Sequence, residues 1–159
     1  MATELDDVDL RLLEYLQEYN LQTADELADR VGRSPSVVGR RLRRLRRSGF
    51  VTGDVSIVSE EAAGYPLFAL VHIQLERHSP QPSDLLRRHL VGSANVQLCL
   101  DIAGAFDMLI LVVAADMDEF NAITERLLAA DPAVRRFETT FVKRRAKATL
   151  TLPVRRGTR

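Results

Sequence analysis

The chain has 159 residues, 46% of them hydrophobic and 28% charged, with a formal net charge of zero. This is the length of one ordinary domain or two small ones, and the composition of a folded globular protein rather than a disordered tail. The zero charge excludes any inference about partners from overall charge alone.

The longest apolar run, Met108 to Ala115, is too short for a transmembrane helix. The acidic start Glu4-Leu5-Asp6-Asp7 is not a secretory leader. The single Cys99 leaves no disulfide framework and no cysteine-only metal site, so the expected compartment is the cytoplasm. Charge is segregated along the chain. Residues 1–32 hold nine acids against Arg11 and Arg30, whereas residues 33–52 hold seven arginines and no acid. Residues 53–142 are acidic again, and residues 143–159 hold seven bases and no acid. These two basic segments are what point to a partner.

In chain order, Asp6 with Asp9 caps a first helix on which Val8, Leu12, Tyr15, Leu16 and Tyr19 share a face. Thr23-Ala24-Asp25-Glu26 is a capping box that opens a second helix, closed by Gly32. Ser34 and Pro35 open a third helix, with Val38, Leu42 and Leu45 as its buried stripe and Gly49 as its stop. The turn Gly32-Arg33-Ser34 is that of a helix-turn-helix. Phe50–Thr52 and Val55–Val58 read as short strands around Gly53-Asp54, and residues 59–66 as a linker.

Strands follow at Leu67–Leu75, Val96–Ile102, Met108–Val113 and Val134–Val142, with helices at Ser83–Leu90 and after Asp116. The order βαββαβ is ferredoxin-like, and Ala148–Val154 is a candidate fifth strand. The expected class is thus α+β: a helix-turn-helix domain at 1–52, a strand and linker at 53–65, and a ferredoxin-like domain at 66–159. Phe68, Leu70 and Cys99 fall on the alternate strand register, and Met108–Val113 is apolar on both sides. A sheet buried on both faces implies that a second subunit covers the face the helices leave open.

On a wheel of the third helix, Ser36, Arg40, Arg43 and Arg47 lie opposite the buried stripe, with Arg44 beside them and Arg41 and Arg46 at the core edge. The major groove of DNA admits one helix between two rows of phosphate, and arginine forks onto guanine or clamps phosphate. Like charges at i, i+4 repel, so a merely solvated face would mix in acids. The expected partner is double-stranded DNA. Ser36 and Arg40 are expected to read bases, Arg44 and Arg47 to hold phosphate, and Arg33 and Ser34 to contact DNA at the helix start.

The ordered set Leu5-Asp6-Asp7-Val8-Asp9 with Leu12-Leu13, Glu26-Leu27-Ala28 with Val31-Gly32 and Ser34-Pro35-Ser36, then Arg40 to Leu45 and Ser48-Gly49-Phe50-Val51, resembles the Lrp/AsnC family of bacterial and archaeal regulators. Arg33 stands where the family usually has leucine. The resemblance implies a winged helix-turn-helix joined to an effector-binding domain, assembly as dimers and larger rings, and response to an amino acid. It also aligns Gly104-Ala105-Phe106-Asp107-Met108 with the family's effector turn, and Met117, Thr140 and Phe141 with its pocket. Ala105 and Met108 depart from the family pattern. The expected site is therefore a more apolar one at Gly104, Ala105 and Asp107, near Met117, Thr140 and Phe141 and closed by a neighbouring subunit. Its expected ligand is a hydrophobic amino acid or none. Asp107 can equally be a turn residue bonding backbone.

Neither a metal nor a cofactor is expected. His72, His78 and His89 have no metal-ligand spacing, there is no nucleophile elbow or phosphate loop, and Cys99 reads as a small buried hydrophobe. The chain is not expected to be an enzyme. Two other readings share the architecture: a sirohaem-decarboxylase-like enzyme, and an architectural DNA-binding protein without an effector. The basic C-terminus fits a DNA contact, an edge strand or a tail.

Overall fold

The computed structural model describes residues 4–76 and 80–155, the side chains of 80–82 excepted. His78 therefore lies outside the described residues. Contacts divide the chain into two units, one of residues 1–57 with 148–159, the other of residues 58–147.

The first unit is built on α1 (Asp7–Glu18), α2 (Ala24–Val31) and α3 (Pro35–Arg47). Both expected capping boxes are present. The Asp6 carboxylate accepts from the Asp9 N–H at 2.9 Å, and the Asp9 carboxylate accepts from the Asp6 N–H at 3.1 Å. Thr23 and Glu26 repeat the exchange at α2. Hydrogen bonds from the Thr23 N–H and hydroxyl hold the Glu26 carboxyl below its ordinary pKa. Gly32 ends α2 in the left-handed conformation, φ 66°. Leu12, Leu27, Val38 and Leu45 are fully buried and, with Leu16, Ala28, Val31 and Leu42, form the core of this unit.

Three expectations fail here. Ser34 makes no side-chain cap bond; its hydroxyl instead lies 3.3 Å from that of Ser36. Residues 50–52 and 55–58 form no ladder, and Val55, Ile57 and Val58 stand exposed. A lone hairpin is marginal in water, and the side chain of Asp54 is drawn to Arg46 rather than closing a turn (Nε to Oδ2, 3.0 Å). That contact holds the Asp54 carboxyl below its ordinary pKa. Residues 148–154 form no strand either. They run extended to α1, where the Gln17 side chain donates to the Leu152 carbonyl (3.0 Å) and accepts from the Leu152 N–H (2.7 Å).

The second unit begins with a single helical turn, α4 (Glu60–Ala63), inside the expected linker. Then come β1 (Leu67–Leu75), α5 (Pro80–Gly92), β2 (Val96–Asp101), β3 (Met108–Ala114), α6 (Met117–Thr124) running into a π-helical turn at Glu125–Ala129, and β4 (Val134–Phe141). The sheet order is β2-β3-β1-β4, all antiparallel. This is the expected ferredoxin-like arrangement. Ala69, Val71 and Ile73 of β1 and Met108, Ile110, Val112 and Ala114 of β3 pack under Leu86 and Leu90 of α5 and Phe120, Ile123 and Leu128 of the last helix.

One register differs from the sequence reading. Strict alternation puts Val96, Leu98 and Leu100 on one face. Instead Val96 lies opposite Val112 and Leu98 opposite Leu111, so Gln97 is the extra residue of a bulge. The slip places Val96 and Cys99 on the helix-covered face, with Cys99 opposite Ile110, and Leu98 and Leu100 on the other. Cys99, expected on the open register, therefore packs at the core edge, where burial raises its thiol pKa.

The open face is apolar over β2, β3 and the Phe68 and Leu70 positions of β1, and polar at His72 and along β4. One row runs Leu98, Leu111, Leu70, Thr140; the next runs Leu100, Leu109, His72, Glu138; a third pairs Val113 with Phe68. Leu98 is 37% and Leu100 42% exposed.

Candidate nucleic-acid interface

The arginines of α3 divide by their partners. Ser36, Arg40, Arg43 and Arg47 are exposed, and Arg40, Arg43 and Arg47 have no acid partner among the described residues. Arg40, Arg43, Arg44, Arg47 and Ser48 line one open concavity. Arg33 is also exposed and turns back to its own turn, donating to the Gly32 carbonyl at 2.9 Å. Its neighbour Ser34 is exposed as well.

Arg41 and Arg44 turn the other way, to the start of α1. Arg41 Nη1 lies 2.7 Å from Asp6 Oδ2 and 2.9 Å from Asp9 Oδ1. Arg44 Nη2 donates to the other oxygen of Asp9. Asp9 is 1% exposed, so its charge is neutralised within the fold. Burial raises the Asp6 carboxyl pKa, but hydrogen bonds from the Asp9 N–H and Arg41, together with Arg41's charge, outweigh it and leave Asp6 below its ordinary value. Arg41 is raised in turn, first through its hydrogen bonds to Asp6 and Asp9.

The guanidinium of Arg44, expected to hold phosphate, borders the arginine face and is bound from behind by Asp9. Sequence reasoning assigned Asp6 and Asp9 to capping alone. The two arginines that complete the network lie more than thirty residues further on; Arg41's place at the core edge of the wheel hinted at its share, whereas Arg44 was placed beside the outward face.

The expected effector residues do not converge within one chain. Asp107 closes the end of β1: its N–H donates to the Ile73 carbonyl (2.9 Å) and its carboxylate accepts from the Leu75 N–H (2.8 Å). Thr140 lies opposite Leu70 and Phe141 opposite Ala69, while Met117 follows β3, whose Ala114 lies opposite Leu67. Three to six strand residues, about 10–20 Å, separate these positions from the turn. Thr140 and Phe141 also face opposite sides of the sheet, Phe141 meeting Phe120 edge-on at 5.2 Å. Gly104 has no positive φ, and a Cβ there would meet open space, as Ala105 beside it is exposed.

Two features near this turn were not foreseen. Phe106 stacks against His72 at 5.2 Å, and Arg136 lies over the Phe106 ring at 5.3 Å. Among the described residues no three His, Cys, Asp or Glu side chains gather to hold a metal. No helix there is long and apolar enough to cross a membrane.

A capped three-helix unit with an outward arginine face, followed by a separate βαββαβ unit, defines a helix-turn-helix DNA-binding regulator with a second domain of ligand-binding type. The sequence profile of the winged helix-turn-helix DNA-binding domain matches residues 5–52, and that of the Lrp/AsnC ligand binding domain matches residues 68–152. The chain belongs to the Lrp/AsnC family of transcriptional regulators.

It is 37% identical over 153 residues to the HTH-type transcriptional regulator y4tD of Sinorhizobium fredii, covering 96% of this chain and 90% of that one. It is 28% identical over 144 residues to the leucine-responsive regulatory protein of Escherichia coli, covering 91% and 88%. Among solved structures, a transcriptional regulator of Neisseria meningitidis in complex with L-Met superposes with a TM-score of 0.89 at 27% identity, covering 94% of this chain and 97% of that one. These relatives bear the names of regulators, and none of the three is named as an enzyme.

Proposed function

We propose that this regulator works in the cytoplasm as a two-fold homodimer, probing a pseudo-palindromic operator with one α3 per half-site, and that dimers associate further under the control of a small molecule. The carrying observation is the exposed face of Ser36, Arg40, Arg43 and Arg47, opposite Val38, Leu42 and Leu45 and without acid partners among the described residues. Two turns of unpaired arginine are costly to hold together unless phosphate neutralises them. Arg33 and Ser34 approach the backbone at the helix start, Ser36 and Arg40 read base edges, and Arg43 and Arg47 hold phosphate. A second copy covers the apolar sheet face, so two recognition helices meet half-sites about 10 bp apart or a multiple of that.

The test is binding across salt concentrations. Arg40→Ala is expected to relax sequence preference by about 1–3 kcal/mol. Arg47→Ala is expected to weaken all sequences alike and to lower the salt slope by about one per bound subunit. Exchanged phenotypes overturn the division of labour. If neither variant changes binding, α3 is not the DNA surface. An architectural packager would bind selected and unrelated duplexes alike.

For the effector, we propose a site shared between subunits: Gly104, Ala105 and Asp107 from one, and Met117, Thr140 and Phe141 from another. One Asp107 oxygen serves Leu75; the other has no protein donor among the described residues and suits an α-ammonium group. The apolar residue at 105 favours a hydrophobic amino acid, and a relative of the same fold was solved with L-Met. Calorimetry against the twenty amino acids should show a hydrophobic one binding at millimolar concentration or below, with binding lost in Asp107→Ala. If none binds, the ligand class is wrong. If one binds equally to Asp107→Ala, the site is wrong.

A further inference from the structure

Asp9 holds two arginines of the DNA-facing helix from behind. It is 1% exposed, accepts Arg41 on one oxygen and Arg44 on the other, and also caps α1 through the Asp6 N–H. Arg44 belongs to both sides of the helix. It borders the same concavity as Arg40, Arg43 and Arg47, yet its Nη2 is bound to Asp9, and its Nε is buried with no hydrogen-bond partner. Its side chain is 37% exposed, so it is close enough to solvent to meet a phosphate if released.

We infer that Asp9 is a positioning residue of the DNA interface: it withholds Arg44 from phosphate and fixes the roll of α3 on α1, leaving contact to Arg40, Arg43 and Arg47. This rests on α3 being the DNA surface, as proposed above. To swing onto phosphate, Arg44 would have to leave a buried carboxylate with half its charge-assisted partners, in surroundings where unpaired charge is costly. Phosphate contacts carry affinity for any sequence, whereas base contacts carry discrimination. Removing one arginine per subunit from the phosphate tally therefore lowers binding to every duplex alike. Asp9 thus sets the salt dependence and general affinity of binding without touching DNA.

The experiment uses the full chain, the tightest duplex selected from a random library, and an unrelated duplex of equal length, with anisotropy followed across salt. Asp9→Asn keeps the size and one acceptor oxygen for the Asp6 N–H, but removes the charge and turns the other acceptor into a donor. It is expected to steepen the salt slope by about 0.9 for each Arg44 freed, about two per dimer, and to tighten binding to both duplexes alike. Arg44→Gln leaves Asp9 paired with Arg41 and is expected to keep the parental slope. In the Arg44→Gln background, Asp9→Asn should add nothing. A purely structural Asp9 would shift thermal unfolding and leave the slopes alone.

If Asp9→Asn does not fold, Arg44→Gln decides: a slope flattened by about one per subunit means Arg44 already holds phosphate, and the inference is wrong. An unchanged slope in folded Asp9→Asn also overturns it. If Arg47→Ala changes no slope, the failure lies with the assignment of α3 to DNA instead.

Discussion

Leu111→Asp is expected to convert the dimer proposed above to monomers and to lower operator affinity by at least about 100-fold. Leu111 lies in the middle of the open sheet face, between Leu98 on β2 and Leu70 on β1. In a face-to-face pair of sheets its carboxylate would be buried without a partner, which dimerisation cannot tolerate. In the single subunit Leu111 is only half-buried, so the domain itself loses little beyond a strand preference of up to about 1 kcal/mol. The large effect on DNA follows from linkage. With two helices on one body the second half-site binds intramolecularly, a gain of about 10²–10⁴ that monomers forgo. Light scattering gives the mass and anisotropy the affinity. A Leu111→Asp protein that remains dimeric would place the subunit contact elsewhere.

Leu27→Ala is expected to remove most of the stability of the first unit. Leu27 is fully buried in α2, a helix of only eight residues, and belongs to a core of eight buried side chains. Truncating a buried leucine costs about 2–5 kcal/mol, and a unit of this size has a net stability of the same order. For a domain this small the loss corresponds to a drop of about 10 °C or more in its melting temperature. The core of the second unit shares no residue with that of the first, so its transition should stay in place. Calorimetry with amide exchange read unit by unit checks this; equal shifts of both transitions would show one cooperative body.

The helical third of the molecule was legible because its signals are local. Thr23 and Glu26, Ser34 and Pro35, and Gly32 and Gly49 punctuate the helices within a few residues of what they terminate, and Val38, Leu42 and Leu45 show the period of a single helix. The ferredoxin-like order was legible for the same reason, strand by strand. What escaped depends on partners distant in sequence. The Gln97 bulge is invisible in an alternating run, since only pairing with Leu111 and Val112 reveals the extra residue. Asp9 reads as a cap until Arg41 and Arg44 arrive from α3. Asp107 was weighed as a ligand group or a turn residue, and its Leu75 bond comes from a strand thirty-two residues back. The open turn at Gly104 and the distant Phe141 show that alignment to a family's pocket names positions without bringing them together in one chain.

The Gln17–Leu152 pair makes the first unit discontinuous, with residues 58–147 spliced between its two pieces. Seen as engineering, the sheet unit is a cassette, and its natural seams lie at Ile57 and Ala148 rather than at the last strand. A chimaera that exchanges effector domains between relatives should keep residues 148–155 with the helices they rest on, or the donor tail will meet the wrong α1. Pulled by its two ends, the molecule carries the load first across the two hydrogen bonds at Leu152. The sheet feels tension only after that clasp opens.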